Sequence, residues 1–288
     1  MRVFGHVGGA CLFFIVAAAA PPPARAGTFD RTLGGLSAAI ENTLNLNPRD
    51  VTDLKIGVGP SYNPAFEGSR DYKWHAVPVI SLQYRDVLKV NNNEVDFTAF
   101  NQVFNFGEGA ISKLEIGPSV SLDFGRSESA SRDLRGMGDV GFSFELGGYV
   151  SYRTEFAKLE LDFSHDVANG HGGGMLDIDA STTLYRGERV SLGVNATVTL
   201  ATSKYLKSFF GVTAARAAAS GLPTFHPKGG LKDVFLGVQA SYDVTDELAF
   251  VAHMGYERLL GDAANSPLIQ RRGDVNQMQA TAFVVYTF

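Results

Sequence analysis

Segments of nine to fifteen residues in which apolar and polar side chains alternate recur along most of this 288-residue chain. Successive side chains of a strand point to opposite faces, so each such segment reads as a strand with one apolar face. In the clearest, 139–153, Val140, Phe142, Phe144, Leu146, Val150 and Tyr152 alternate with Ser143, Glu145, Gly147, Tyr149, Ser151 and Arg153. The last, Asn276–Phe288, keeps Met278, Ala280, Ala282, Val284, Tyr286 and Phe288 in register up to an aromatic carboxy-terminus. Soluble sandwiches alternate in the same way. Length separates the two classes, because a globular strand averages about 5–6 residues and a tilted membrane-crossing strand needs about 9–11.

The same period runs through 54–62, 74–85, 113–124, 156–165, 173–184, 189–200, 231–242 and 247–258. The opposite faces collect Glu, Asp, Lys, Arg, His, Ser, Thr and Gly. Tyr62, Trp74, Tyr84, Phe124, Tyr152, Tyr242, Tyr256 and Phe288 fall near segment ends, where a membrane barrel carries its aromatic girdles. Splitting 87–106 at Asn91-Asn92-Asn93, a run that tolerates positive φ, gives two strands. With 201–229 taken as one long loop, the reading is an all-β, transmembrane antiparallel β-barrel of about twelve strands. Ten or fourteen stay open, and a strand at 204–212 would break the even count expected of bacterial barrels. The turns near Arg85-Asp86, Gly107–Ala110, Thr154-Glu155, Arg186–Glu188 and Val244–Glu247 then fall on the periplasmic side. The longer stretches 63–73, 125–138, 165–174, 201–229 and 259–275 fall outside.

The amino end supplies the compartment. Arg2 precedes an apolar stretch, Ala10 to Ala20, followed by prolines and Ala24-Arg25-Ala26. This reads as a secretory signal peptide, residues 1–26, cleaved after Ala26, since the apolar run is shorter than the ~20 residues of a spanning helix. Residues 27–52 form an extension with Leu33, Leu36, Ile40 and Leu44 at helical spacing, read as a short amphipathic helix or an irregular lead. The barrel then occupies 53–288. The single cysteine, Cys11, lies in the signal, so disulfides and thiolate chemistry are not expected in the rest. A net charge of −5 argues against nucleic acid as a partner.

Catalytic, cofactor and metal sites are not expected. Ser164, His165 and Asp166 are consecutive on a strand and alternate faces, so they cannot form a triad among themselves. His75, His165, His171, His226 and His253 read as solvated loop or lumen histidines. Gly170–Gly174 lacks the Gly-Lys-Ser/Thr of a phosphate loop and reads as a loop tip. Asp177 with Asp179, and Glu160 with Asp162, read as lumen carboxylates paired to Arg or Lys from adjacent strands.

Several phrases resemble those of the MipA/OmpV family of outer-membrane proteins. They are Phe66-Glu67-Gly68-Ser69, Phe124-Gly125-Arg126, Gly136-Met137-Gly138-Asp139, Gly170-His171-Gly172-Gly173 and Phe209-Phe210-Gly211-Val212. More specific are Ser220-Gly221-Leu222-Pro223 running into Gly229-Gly230-Leu231-Lys232-Asp233, and the stretch from Arg258 through Gly261, Asp262 and Asn265 to Ser266 and Pro267. The resemblance covers about 54–288. It implies an outer-membrane barrel and, from one branch of the family, an adaptor between a lytic transglycosylase and a penicillin-binding protein.

The expectation is a non-enzymatic barrel in contact with outer-membrane lipid, serving as a scaffold for murein enzymes or for envelope integrity, with a narrow solute channel as the alternative. Gly221, Leu222, Pro223, Gly261, Asp262, Ser266 and Pro267 are the candidate partner residues. Val284, Tyr286 and Phe288 are expected to carry the signal read by the barrel insertion machinery.

Overall fold

The structure, a computed structural model, describes residues 53–105 and 111–288. The expected signal peptide 1–26, the extension 27–52 and the turn Gly107–Ala110 lie outside the described residues.

Thirteen hydrogen-bonded segments make one antiparallel sheet: β1 (Asp53–Pro64), β2 (Tyr72–Tyr84), β3 (Leu88–Asn91), β4 (Glu94–Phe97), β5 (Phe100–Asn105), β6 (Ile111–Asp123), β7 (Ser143–Thr154), β8 (Ala157–Asp166), β9 (Gly174–Arg186), β10 (Val190–Ala201), β11 (Gly230–Asp243), β12 (Leu248–Leu259) and β13 (Asn276–Thr287). Two pairings close it. β13 returns to β1, with Val58 opposite Val284 and Tyr62 opposite Ala280. β4 and β5 both pair with β6, Val95 opposite Val120 and Phe100 opposite Ile116. β4 and β5 therefore occupy one position in the ring, and the barrel is closed with twelve strands.

The break in that shared position has a local cause. A Cβ on Gly117 would lie 1.7 Å from the Phe97 carbonyl oxygen, and the next residue, Pro118, has no N–H to offer. The chain steps aside at Thr98-Ala99, where Thr98 donates to the Val87 carbonyl (2.9 Å) and Ala99 to that of Ile116 (3.0 Å). The β3–β4 hairpin is short. Its two-residue turn, with Asn92 at φ 49°, follows the Asn-rich expectation. Above it, Tyr72–Val79 of β2 has no strand on that side among the described residues. Ile80 points its N–H that way, to Asn92 Oδ1, so the nitrogen of Pro78 faces the same edge, where a strand tolerates proline.

Both ends of the described barrel chain lie at the short-turn end: Lys55 faces Thr287, and the Phe288 amide donates to the Leu54 carbonyl. The outward face is apolar, with Val58, Trp74, Leu146, Phe163, Leu236 and Met254 all exposed. That is unfavourable against water and favourable against lipid. Tyr62 stacks with Tyr72 and Trp74 near the long-loop end, and Tyr286 packs edge-on to Phe288 near the other.

One sequence expectation changes, and the long connection takes the form that the twelve-strand reading requires. The strand expected from Asp139 starts at Ser143, because Val140 turns inward and forms an isolated bridge with Arg126. The long connection 202–229 contains two short helices, α1 (Ser203–Phe209) and α2 (Ala214–Ser220), so a strand at 204–212 does not form. The last long connection adds α3 (Gly261–Asn265) and α4 (Pro267–Arg272).

Candidate functional site

The long connections do not splay outward. They fold over the barrel mouth into a cap with its own core: Phe66, Leu134, Met137, Tyr205, Leu206, Phe209, Phe210, Leu222, Leu268 and Ile269 all belong to one buried cluster. This cluster supplies the apolar burial, at ~25 cal/mol per Å², that holds loops otherwise prone to fray.

Local chemistry starts each piece. Thr202 and Thr213 cap α1 and α2 with side-chain oxygens, Ser266 caps α4, and Pro267 takes its first turn. Gly221 closes α2 in the left-handed conformation, φ 74°. Gly136, also left-handed, passes so close to α2 that a Cβ would meet the Ser220 amide nitrogen at 2.5 Å.

Cationic and hydroxyl side chains then join the pieces through backbone carbonyls. Arg126 donates to Phe209 (2.5 Å), Ser266 Oγ to Phe210 (2.6 Å) and Lys73 to Ala130 (2.5 Å). Arg272 reaches Asp133 (2.8 Å), Arg135 (3.1 Å) and Ser220. Arg70 holds the carbonyls of Arg271 and Arg272. Burial holds the Arg126 guanidinium down to about 10, still charged near neutral pH.

Under the cap lies a layer of buried charge. The Lys232 ammonium sits between Glu67 and Asp233, 3.0 Å from Asp233 Oδ2, and over the Tyr205 ring. Glu257 and Gln279 adjoin at 3.3 Å. His171 lies between Glu145 (3.0 Å) and Asp123 (3.7 Å), packed on Tyr205 and Phe209. In the neutral ring Nδ1 accepts the Gly173 amide (3.0 Å) and Nε2 donates to Glu145; protonation gives up the first contact and makes the second charge-assisted. Burial opposes protonation of this ring, but the Glu145 hydrogen bond and the carboxylates of Asp123, Glu145 and Asp166 outweigh it and raise its pKa. Asp166 in turn accepts the amides of Ala168, His171 and Gly172 and shapes the glycine-rich tip.

Among the described residues, two groups of carboxylates are close enough to share a cation, Glu67 with Asp233 and Glu257, and Glu94 with Asp96 and Asp162. The first already holds one in Lys232. On the lumen wall, Glu160 pairs with Lys158 of its own strand, not of an adjacent one (2.9 Å), and Asp177 and Asp179 accept from the hydroxyls of Thr199 and Thr197.

Every motif-bearing phrase of the sequence converges on this cap. Gly221, Leu222 and Pro223 end α2, Gly261 and Asp262 open α3, and Ser266 and Pro267 open α4. Leu222 and Ser266 are buried, while Pro223 and Gly261 are exposed. Asp262 Oδ2 accepts the Lys228 amide (2.6 Å) and ties the connection 202–229 to the last long connection. Val284, Tyr286 and Phe288 lie apart from it, exposed on the outer face of β13. The expectation of solvated histidines holds for His165 and His226, which are exposed. It fails for His171, His75 and His253, which are buried. The Lys232–Glu67 pair, 165 residues apart, had no sequence signal beyond its place inside two of the quoted phrases.

The model of a family described as "MltA-interacting protein MipA" matches residues 56–288. The chain belongs to the MipA family. Among similar proteins is an outer membrane protein, Omp26La of Vibrio anguillarum, 25% identical over 67% of this chain and 72% of its own length. Another is the putative outer membrane protein YiaT of Escherichia coli, 20% identical over 76% of this chain and 86% of its own. Of solved structures, the COG4313 outer membrane channel from Pseudomonas putida aligns over 85% of this chain and all of that one, at 9% identity and a TM-score of 0.39. The MipA match begins at Ile56, within β1, and takes in the whole cap, so the family's span and the barrel coincide.

Proposed function

We propose that this MipA-family barrel is a non-enzymatic scaffold of the outer membrane, exported by cleavage after Ala26, rather than a solute conduit. Its long loops face outward, and its short-turn end faces the murein. The observation that supports this best is the cap: four connections share one apolar core across the mouth, with buried ion pairs directly beneath. A conduit needs a mouth lined by water-facing side chains. Here the cap core and its arginine-to-carbonyl links oppose opening. A sealed barrel can still act through its periplasmic face, and the resemblance to one branch of the family implies partners there among murein enzymes, a lytic transglycosylase and a penicillin-binding protein. Gly221, Leu222, Pro223, Gly261, Asp262, Ser266 and Pro267 then serve by fixing the cap.

Two measurements test this reading. Purified protein in planar bilayers should show no steady conductance, and steady single-channel steps would restore the channel alternative. Cross-linking in intact envelopes followed by solubilisation should recover murein hydrolase and synthase with the barrel; recovery of neither would end the scaffold assignment.

A further inference from the structure

We propose that the rim formed by the long-loop ends of β12, β13, β1 and β2 binds a phosphorylated glycolipid of the outer leaflet, its phosphate on Arg258 and its acyl chains on the aromatic side chains beneath. Side chains alternate along β12: Phe250, Met254 and Arg258 point outward, and Glu257 points inward with 1% exposure. The same register places Lys55, Glu145, Lys158 and Asp177 on the inner side of their strands. Among the described residues of the thirteen strands, Arg258 is therefore the one Asp, Glu, Lys or Arg on the lipid-facing side. It is the last residue but one of β12, above Tyr256, so its charge stands at headgroup depth and not in the hydrocarbon.

The Arg258 side chain is held in place, and its charge is not matched within the chain. Its Nη1 donates to Asn276 Oδ1 (2.7 Å), which the Tyr256 hydroxyl also reaches (2.7 Å). No carboxylate lies within ion-pair distance of it among the described residues. Along the rim an aromatic platform continues the site. Tyr62 stacks with Tyr72 (5.2 Å) and packs on Trp74 (5.0 Å), which is 68% exposed, and the Met278 amide donates to the Tyr72 hydroxyl (2.9 Å). Arg70 and Arg271, both exposed, add charge in the adjoining loops. Arg70 uses Nε and Nη2 on the carbonyls of Arg272 and Arg271 (3.1 Å each), which leaves the N–H groups of Nη1. Ser69 bridges to Gly273, and the Asp274 amide donates to the Gly68 carbonyl (2.9 Å), so Arg70 lies beside the stretch that ends at Asn276. The exposed arginines outnumber the exposed carboxylates there, Asp71 and Asp274, so the rim is cationic. A guanidinium takes phosphate through two parallel N–H bonds, and exposed tyrosine and tryptophan suit the membrane interface. From β12 to β2 the rim is about 14 Å wide, at ~4.8 Å per strand spacing. That width suits a lipid with several acyl chains under one phosphorylated sugar headgroup.

The inference rests on the outward orientation of the long loops proposed above, so the two are read apart. Native mass spectrometry of the detergent-solubilised full chain with added bisphosphorylated lipid A should show lipid retained. Arg258→Gln should weaken retention about tenfold, the worth of a charge-assisted hydrogen bond, and adding Arg70→Gln should weaken it further. Arg85→Gln, beside Tyr84 at the opposite end of the barrel, should leave it unchanged. Folding of each protein is checked by heat-shifted gel migration. Should Arg258→Gln fail to fold, Arg258→Lys, which keeps the charge and loses the fork, is read in its place and should bind about threefold more weakly. Undiminished retention by the Arg258 variant would overturn the site. So would equal retention of lipid A stripped of its phosphates, or of phosphatidylglycerol. Orientation is read on whole cells by labelling Lys204→Cys, exposed on the cap, with a maleimide that does not cross the outer membrane, against the unsubstituted chain as background. Surface labelling without Arg258-dependent binding would sink the lipid site alone. Arg258-dependent binding without labelling would overturn the orientation and, with it, the assignment to the outer leaflet.

Discussion

His171 Nε2 lies 3.0 Å from Glu145 Oε1, joining a glycine-rich loop tip to the inner face of β7. The ring's other neighbours, Tyr205 and Phe209, come from α1, so one side chain links barrel wall, loop tip and cap core.

That contact makes the cap sensitive to pH. The folded pKa of His171 is raised above the ordinary value of about 6.5. Stability from the protonated ring is therefore full below about 6.5 and is lost as pH rises through the raised folded value. Limited proteolysis of the loops should be slower at about pH 6 than at about pH 8.5, and His171→Gln should flatten that difference. An unchanged pH dependence in the variant would remove His171 from the account.

Lys232→Ala should be among the most damaging single changes. It leaves the Glu67 and Asp233 carboxylates buried without their ammonium. Breaking a buried pair from one side costs about 3–5 kcal/mol. The temperature at which the folded gel band converts to the unfolded one should fall markedly, and Lys232→Met combined with Glu67→Gln should recover part of the loss.

Arg272→Lys should not be conservative. The guanidinium serves carbonyls of Asp133, Arg135 and Ser220 at once, a planar fork that an ammonium cannot match. Trypsin should cut faster at the exposed Arg132 and Arg135 in the variant while the barrel's heat-shifted migration persists. Unchanged cleavage would show that the apolar core alone holds the cap.

Gly59→Ala tests the closing seam. A Cβ there would lie 1.7 Å from the Ala282 carbonyl oxygen, so β1 and β13 would have to part. The folded band should be largely lost. Phe288→Ser, by contrast, should lower the amount of barrel inserted in cells while the inserted fraction migrates normally, because Phe288 faces outward and its backbone bond to Leu54 is independent of the ring.

The alternation of Phe144 with Glu145, or of Met278 with Gln279, was legible because strand geometry repeats every two residues and needs only neighbours in sequence. The Asn92 turn, the outward apolar face and the twelve-strand ring follow from that local code. Only the tertiary structure shows that Lys232 meets Glu67, that His171 is buried between Asp123 and Glu145, and that Val140 belongs to the cap instead of a strand. Those contacts join residues up to 165 positions apart, and loops carry no period from which such a meeting can be read. A barrel wall is written in its neighbours; its cap is decided where four loops compete to bury the same apolar surface.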